Sequence, residues 1–280
     1  MNKAEILTEA LPYMQKYYNK TVVVKFGGHA MTDEALKYAF ASDIVLLKQV
    51  GINPIIIHGG GPQIGSMLER LKIAFSFEGG FRVTSPEVME VVEMILSGKI
   101  NKEIVGLIAA NGGRAVGFSG RDGNLISAKK LILKDTSKDL GLAGIVEKID
   151  TAVLEAVRDF IPVIAPVGIG KKGEPYNINA DLAAGSIASA LKAEKLLLLT
   201  DVKGVLDKDG NRIPFATLAQ LDKLREEGVV TGGMIPKLQG VYDAINAGVA
   251  RVNIIDGREP HSILLELFTD HGVGTEIVKQ

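Results

Sequence analysis

Two short runs of consecutive aliphatic residues end directly in a polar residue and then in glycines: Val22, Val23 and Val24 lead into Lys25, Phe26, Gly27 and Gly28, and Ile55, Ile56 and Ile57 into His58, Gly59, Gly60 and Gly61. Aliphatic runs with no polar alternation fit strands buried on both faces, which belong to parallel sheets. Residues 21–26, 54–58, 161–167, 196–200 and 250–255 all read this way. The segments between them, 33–50, 62–71, 86–96, 182–191 and 236–247, have helical spacing of apolar residues. The expected class is α/β, with an open, mainly parallel sheet sandwiched between helices.

A chain of 280 residues can bury a large core without covalent staples, and this one contains no Cys. Disulfides, thiolate metal sites and a Cys nucleophile are thereby excluded, and a reducing cytoplasmic location is expected. A net charge of -1 gives no sign of nucleic-acid binding. No apolar stretch suits a membrane helix, and Glu5 and Glu9 interrupt any signal-peptide reading of the N-terminus, so the chain is read as mature and soluble. Residues 114–148 break the strand–helix rhythm and suggest hairpins laid over the sheet, with Lys129, Lys130, Lys134 and Lys138 on a solvated face. Three parts are expected: a helix over 1–20 that Pro12 kinks or divides, a lobe over 21–175, and a second lobe over 176–280 on the same continuous sheet. The apolar face of the first helix serves either its own domain or another subunit.

The glycine clusters mark the candidate chemistry. In a parallel sheet the C-terminal strand ends form the ligand crevice. Lys25 would project there, while Gly27 and Gly28 let backbone N–H groups approach an anion. Gly60 and Gly61, followed by Pro62 at a helix start, form a second anion site. His58 reads as a satisfied core histidine. Asn177, Asn179 and Asp181 lead into another helix, where they either cap it or face the crevice. Thr231, Gly232 and Gly233 precede a helix with Lys237 in its first turn, an unfavourable place for a cation unless an anion answers it. The Walker pattern is absent, the formal G-x-G-x-x-G at Gly168, Gly170 and Gly173 is not followed by a helix, and His29, His58, His261 and His271 lack metal-ligand spacing.

The ordered set Lys25-Phe-Gly-Gly, His58-Gly-Gly-Gly, Gly80-Phe-Arg-Val-Thr, Asn177-Ile-Asn-Ala-Asp, Thr200-Asp-Val-Lys-Gly and Thr231-Gly-Gly-Met-Ile-Pro-Lys resembles the N-acetyl-L-glutamate kinases of the amino acid kinase family over nearly the whole chain. The resemblance implies that the 21–175 lobe binds N-acetylglutamate and oligomerises, and that the 176–280 lobe binds nucleotide. It implies attack of the γ-carboxylate of N-acetyl-L-glutamate on the γ-phosphorus of ATP carrying Mg2+, the second step of arginine biosynthesis. A carboxylate is already ionised at neutral pH, so no general base is needed.

By the same resemblance Lys25, Lys237 and Asp181 are catalytic, Gly27 and Gly28 bind phosphate, Gly60, Gly61, Arg82 and Asn177 bind the acceptor, and Asp201, Lys203 and Gly204 face the nucleotide. No protein residue is assigned as a direct metal ligand. His29 departs from the family, where a small polar residue is common. The N-terminal helix resembles the extension of arginine-inhibited members, which implies inhibition by arginine at Tyr13, Gly274 and Glu276, a homo-oligomer built as a hexamer from three dimers, and a PII-type signalling protein as a partner. Alternatives are an N-acetyl-aminoadipate kinase of lysine biosynthesis and a non-catalytic arginine or effector sensor on the same fold. A nicotinamide dehydrogenase would rest only on the Gly168 pattern.

Overall fold

A computed structural model describes residues 3–133, 138–230 and 234–280. The chain starts with helix α1 (Lys3–Tyr17), then strand β1 (Thr21–Phe26), helix α2 (Glu34–Gln49), β2 (Asn53–His58) and α3 (Gly61–Arg70). A small hairpin, β3 (Phe77–Glu78) and β4 (Phe81–Arg82), precedes α4 (Pro86–Glu93), a π-helical turn (Met94–Ile100) and α5 (Asn101–Ala110). Next come β5 (Ala115–Ser119), β6 (Ile126–Lys130), β7 (Ala143–Ile149), α6 (Ala152–Ala156), β8 (Ile161–Ala165), β9 (Val167–Ile169) and β10 (Pro175–Ile178). The chain closes with α7 (Ala180–Ala190), β11 (Lys195–Thr200), β12 (Phe215–Thr217), α8 (Leu218–Glu226), α9 (Met234–Asn246), β13 (Val252–Asp256), α10 (Ser262–Phe268) and β14 (Thr275–Val278).

Eight strands form one sheet in the order β12-β14-β13-β11-β1-β2-β8-β5. Neighbours from β13 to β5 are parallel, β14 pairs antiparallel with β13, and β12 closes the other edge parallel to β14. Alternate side chains of each strand enter two separate cores. Val22, Val24, Phe26, Ile56, Leu197 and Leu199 lie in one, and Val23, Ile55, Ile57, Leu196 and Leu198 in the other. Each such side chain contributes about 1.5 to 3 kcal/mol on full burial, so both faces of the central strands must be covered, and helices cover them. Polar residues are tolerated only where these strands end.

Several expectations are corrected. The strand expected over 161–167 is two strands: Pro166 has no N–H for the ladder, and the chain leaves the main sheet there, β8 staying and β9 joining a closed four-stranded barrel of β10, β7, β6 and β9. Residues 114–148 are only partly hairpins over the sheet. Here β6 and β7 pair antiparallel, but β5 is a parallel edge strand of the main sheet, reached by the crossover through α5. Pro12 lies inside α1 without dividing it. Its missing N–H falls on an exposed position, while Tyr17 on the same helix is buried. Lys129, Lys130 and Lys138 lie at the surface and pair with Glu147, Asp139 and Glu78. Lys134 lies outside the described residues, as do the side chains of Ile6 and Leu7. No helix among the described residues is long and apolar enough to cross a membrane.

Candidate active site

The C-terminal ends of β1, β2 and β11 open onto one side of the sheet. Lys25 sits one residue before the end of β1, and its Nζ lies 3.0 Å from Oδ1 of Asp181 in the first turn of α7. Asn179 caps that helix, its Oδ1 accepting from the Asp181 N–H at 2.8 Å, so Asp181 is free of the capping role and faces the lysine. Lys237 enters from α9. Burial holds its ammonium below the ordinary lysine value, and the like charge of Lys25 lowers it further, against Asp181 and Asp201. Two cations and a carboxylate from three distant segments thus share one field. Thr231, Gly232 and Gly233, which precede Lys237, lie outside the described residues.

Both glycine loops flank this group. Gly27 is extended, and a Cβ there would meet the Lys25 Nζ at 2.7 Å. Gly28 has φ +73, and a Cβ there would come within 2.4 Å of Asp201 Oδ1. Only glycine suits that turn. Asp201, just beyond β11, accepts from the His29 backbone N–H at 2.8 Å and lies 3.1 Å from its ring Nδ1. Desolvation would raise its pKa, but those bonds with His29, and then the charges of His29 and Lys237, outweigh it and keep the carboxyl low. Asp201 therefore braces the first loop. In the second loop a Cβ on Gly61 would meet nothing within 4 Å, whereas one on Gly60 would strike Ile100 and Leu96 of the π-helical turn.

Between the second loop and the β3–β4 hairpin lies a cavity of about 240 Å³. The guanidinium of Arg82, 8% exposed, sits 4.7 Å from the ring centroids of both Phe75 and Phe77 and donates from Nη2 to the Gly61 carbonyl at 3.1 Å. Burial lowers its pKa. Its Nη1 is buried with no hydrogen-bond partner among the described residues. A guanidinium in the wall of a cavity is matched by a carboxylate ligand. Asn177 lines the same cavity, held by a bond from its Nδ2 to the Thr84 hydroxyl at 3.1 Å. Lys25, Gly27, Gly28, Gly60, Gly61 and Asp181 complete the wall.

The remaining candidates lie elsewhere. Lys203 is exposed, near enough to the Asp256 carboxylate to act on its charge, and Gly204, at φ +133, passes so close to Thr275 that a Cβ would meet its hydroxyl at 2.5 Å. Gly204 therefore has a packing reason to be glycine. Tyr13 and Glu276 line a second cavity of about 540 Å³ beneath α1. Tyr13 donates to Asp270, and Glu276 pairs with Lys195 at 2.7 Å and Arg251 at 2.9 Å. Gly274 is at its margin, donating to Glu266 at 2.8 Å and accepting from Arg212, which lines the cavity. His58 is fully buried and hydrogen bonded, as its reading as a core residue requires. Sequence reasoning did not find Phe77 or Leu96 as walls, because they sit in a short hairpin and a π-helical turn with no periodic signal.

Residues 20–256 match the model of the amino acid kinase family. A protein named acetylglutamate kinase from Syntrophobacter fumaroxidans is 55% identical, with 100% of this chain and 97% of that protein covered. Among solved structures, N-acetylglutamate synthase from Neisseria gonorrhoeae complexed with coenzyme A and N-acetyl-glutamate superposes with a TM-score of 0.89 at 27% identity, covering 100% of this chain and 64% of the synthase. The same synthase complexed with coenzyme A and L-arginine gives a TM-score of 0.84 at 26% identity, covering 100% of this chain and 66% of the synthase.

Proposed function

The chain belongs to the amino acid kinase family, and from that premise we infer that it phosphorylates the γ-carboxylate of N-acetyl-L-glutamate with ATP, a step of arginine biosynthesis. The observation that carries the reading at the level of residues is the convergence of Lys25 and Lys237 on Asp181 between two glycine loops. An anionic nucleophile must approach an anionic phosphate, and two cations at the transferring group offset that repulsion. The loops supply N–H groups from Gly28, Gly60 and Gly61 to phosphoryl oxygens. Arg82 takes the acceptor's α-carboxylate through its guanidinium, and Asn177 holds the N-acetylamino end. Asp201 and Lys203 lie toward the nucleotide.

Mg2+ would arrive on the nucleotide and keep most of its waters. Asp181 is the carboxylate that would reach its hydration shell, and the ion would neutralise phosphate charge. Residues 21–175 and 176–280 act as acceptor and nucleotide lobes in the cytoplasm. Arginine inhibits by occupying the cavity beneath α1, where Glu266 and Glu276 offer carboxylates to a guanidinium. The arginine-bound synthase of the same fold supports this, and exposed Leu11 and Tyr18 suit an α1 that docks on another subunit in a hexamer of three dimers. A PII-type protein is the further partner.

The test is ADP release with MgATP and equal N-acetyl-L-glutamate, N-acetyl-aminoadipate, glutamate or aspartate, each with and without arginine. Turnover confined to N-acetyl-L-glutamate is expected. Preference for N-acetyl-aminoadipate would move the enzyme to another pathway, and no turnover with any acceptor would favour an effector sensor.

A further inference from the structure

We propose that His58 and Asn101 are positioning residues for phosphoryl transfer, which lock the Gly59–Gly60 peptide so that the Gly60 N–H faces the reaction chamber. This rests on the kinase reading above. His58 ends β2 and Asn101 opens α5, and both side chains are wholly buried. His58 Nδ1 lies 2.9 Å from the Gly59 carbonyl oxygen. A carbonyl only accepts, so Nδ1 carries the proton. On the other side of the ring, Asn101 Nδ2 lies 3.3 Å from Nε2 and donates to it, which leaves Nε2 bare. The Asn101 amide cannot turn over. Of its two N–H donors, one faces His58 Nε2 and the other the Val163 carbonyl at 2.9 Å, with the Phe118 carbonyl at 3.3 Å sharing a donor as a weaker acceptor, and its Oδ1 accepts from Lys102 Nζ at 3.0 Å.

Burial lowers the His58 pKa to about 4, so the ring stays neutral and keeps this tautomer wherever the enzyme works. The consequence for the loop is geometric. A planar trans peptide points its carbonyl and its N–H in opposite directions. No peptide bond here is cis, so with the Gly59 carbonyl held against the imidazole the Gly60 N–H is turned away from the core. Gly60 lines the chamber, and its N–H donates to no group among the described residues. A flexible run of three glycines thus offers a fixed donor without a rearrangement at the moment of transfer. His58 touches no reacting group.

The experiment separates orientation from stability by using two amides. Asparagine places an N–H near the imidazole Nδ1, while glutamine places its amide near Nε2. With MgATP and N-acetyl-L-glutamate, H58Q is expected to lose kcat by about 10- to 100-fold with both KM values little changed, and H58N to stay within about 3-fold of wild type. Equal losses in both variants, or no loss in H58Q, overturn the proposal. If H58Q does not fold, N101A decides: it frees the tautomer, so wild-type kcat in N101A also overturns it. Nitrogen NMR of 15N-histidine enzyme, which needs no activity, should show His58 protonated at Nδ1 and unchanged between about pH 5.5 and 8. An Nε2-protonated ring there is equally fatal. Failure of the wild-type enzyme to turn over would sink the kinase reading instead and leave the NMR result to judge the tautomer.

Discussion

The chamber at the strand ends and the cavity beneath α1 differ most in how their polar groups are satisfied. The smaller one, about 240 Å³, carries Arg82, one of whose buried nitrogens has no partner among the described residues, and sets Lys25 against Asp181 with Lys237 near enough to act on the charge of both. The larger, about 540 Å³, is internally paired: Glu276 holds Lys195 and Arg251, Tyr13 holds Asp270, and Glu266 accepts from Asn253 and two backbone N–H groups. Volume would rank these cavities the wrong way round for chemistry. Lys25 and the Arg82 guanidinium on its wall stand against one aspartate, with Lys237 near enough to act on the same field, so the small chamber is built for an anion. At Glu276, Glu266 and Tyr13 the outer cavity binds a ligand by exchanging partners these groups already have, and that is how a regulatory site would respond to a ligand.

The comparison breaks first at Lys25. If the chamber is preorganised for charge transfer, Lys25→Ala should lower kcat by roughly 10³-fold or more while the cooperative unfolding transition persists, measured as ADP release beside circular dichroism. Loss of less than about 10-fold would mean that the ion pair with Asp181 is only structural. Arg82→Ala comes next. It removes a cation held beside Phe75 and Phe77 in the cavity wall, so the KM for N-acetyl-L-glutamate should rise about 100-fold, with the KM for ATP nearly unchanged. Equal changes in both constants would place Arg82 outside the acceptor site.

For the outer cavity the effect should be smaller and of a different kind. Burial alone would raise the pKa of Glu276, but the hydrogen bond and charge of Lys195, and then Arg251, hold it low, so the group is a carboxylate at neutral pH. Glu276→Gln should leave turnover without arginine within about 2-fold and raise the arginine concentration for half-inhibition roughly 10-fold, read from dose–response curves. Unchanged arginine sensitivity would remove this cavity from the regulatory reading.

The chamber's two halves were unequally legible in the sequence. Burial on both faces forces unbroken aliphatic runs, so β1 and β2 and the glycines that follow them were visible at once, and a lysine at a helix start drew attention to Lys237. Other parts had no local signal. The π-helical turn Met94–Ile100 shifts the helical phase, which hid α5 and with it the placement of β5 in the main sheet. The brace between His29 and Asp201 spans 172 positions, and the aromatic contacts of Arg82 come from Phe77, in a hairpin of two-residue strands too short to show alternation, and from Phe75 just before it. The resemblance to acetylglutamate kinases drew Asp201 and Arg82 into the site, while the loop brace and the orphaned donor needed coordinates.

The finest test concerns the shared field of the two lysines. Transfer needs Lys237 as an ammonium, and burial and Lys25 hold its pKa below the ordinary 10.5 while Asp181 and Asp201 pull it back up. Turnover should therefore fall as pH rises through that lowered pKa. Removing Asp181 takes away a raising influence, so Asp181→Asn should move the Lys237 titration to lower pH. Removing Lys25 takes away a lowering one, so Lys25→Met should move it higher. Both variants turn over slowly, so the titration is best followed by NMR of 13C-methylated lysines, with Lys237→Arg assigning the signal. Bound nucleotide adds several negative charges beside the ammonium and should raise its pKa, so the alkaline limb of kcat should lie above that of kcat/KM. Opposite shifts in Asp181→Asn and Lys25→Met are the signature of one coupled site. Shifts of the same sign would mean that Lys237 titrates apart from the pair, and the chamber would then hold one catalytic cation instead of two.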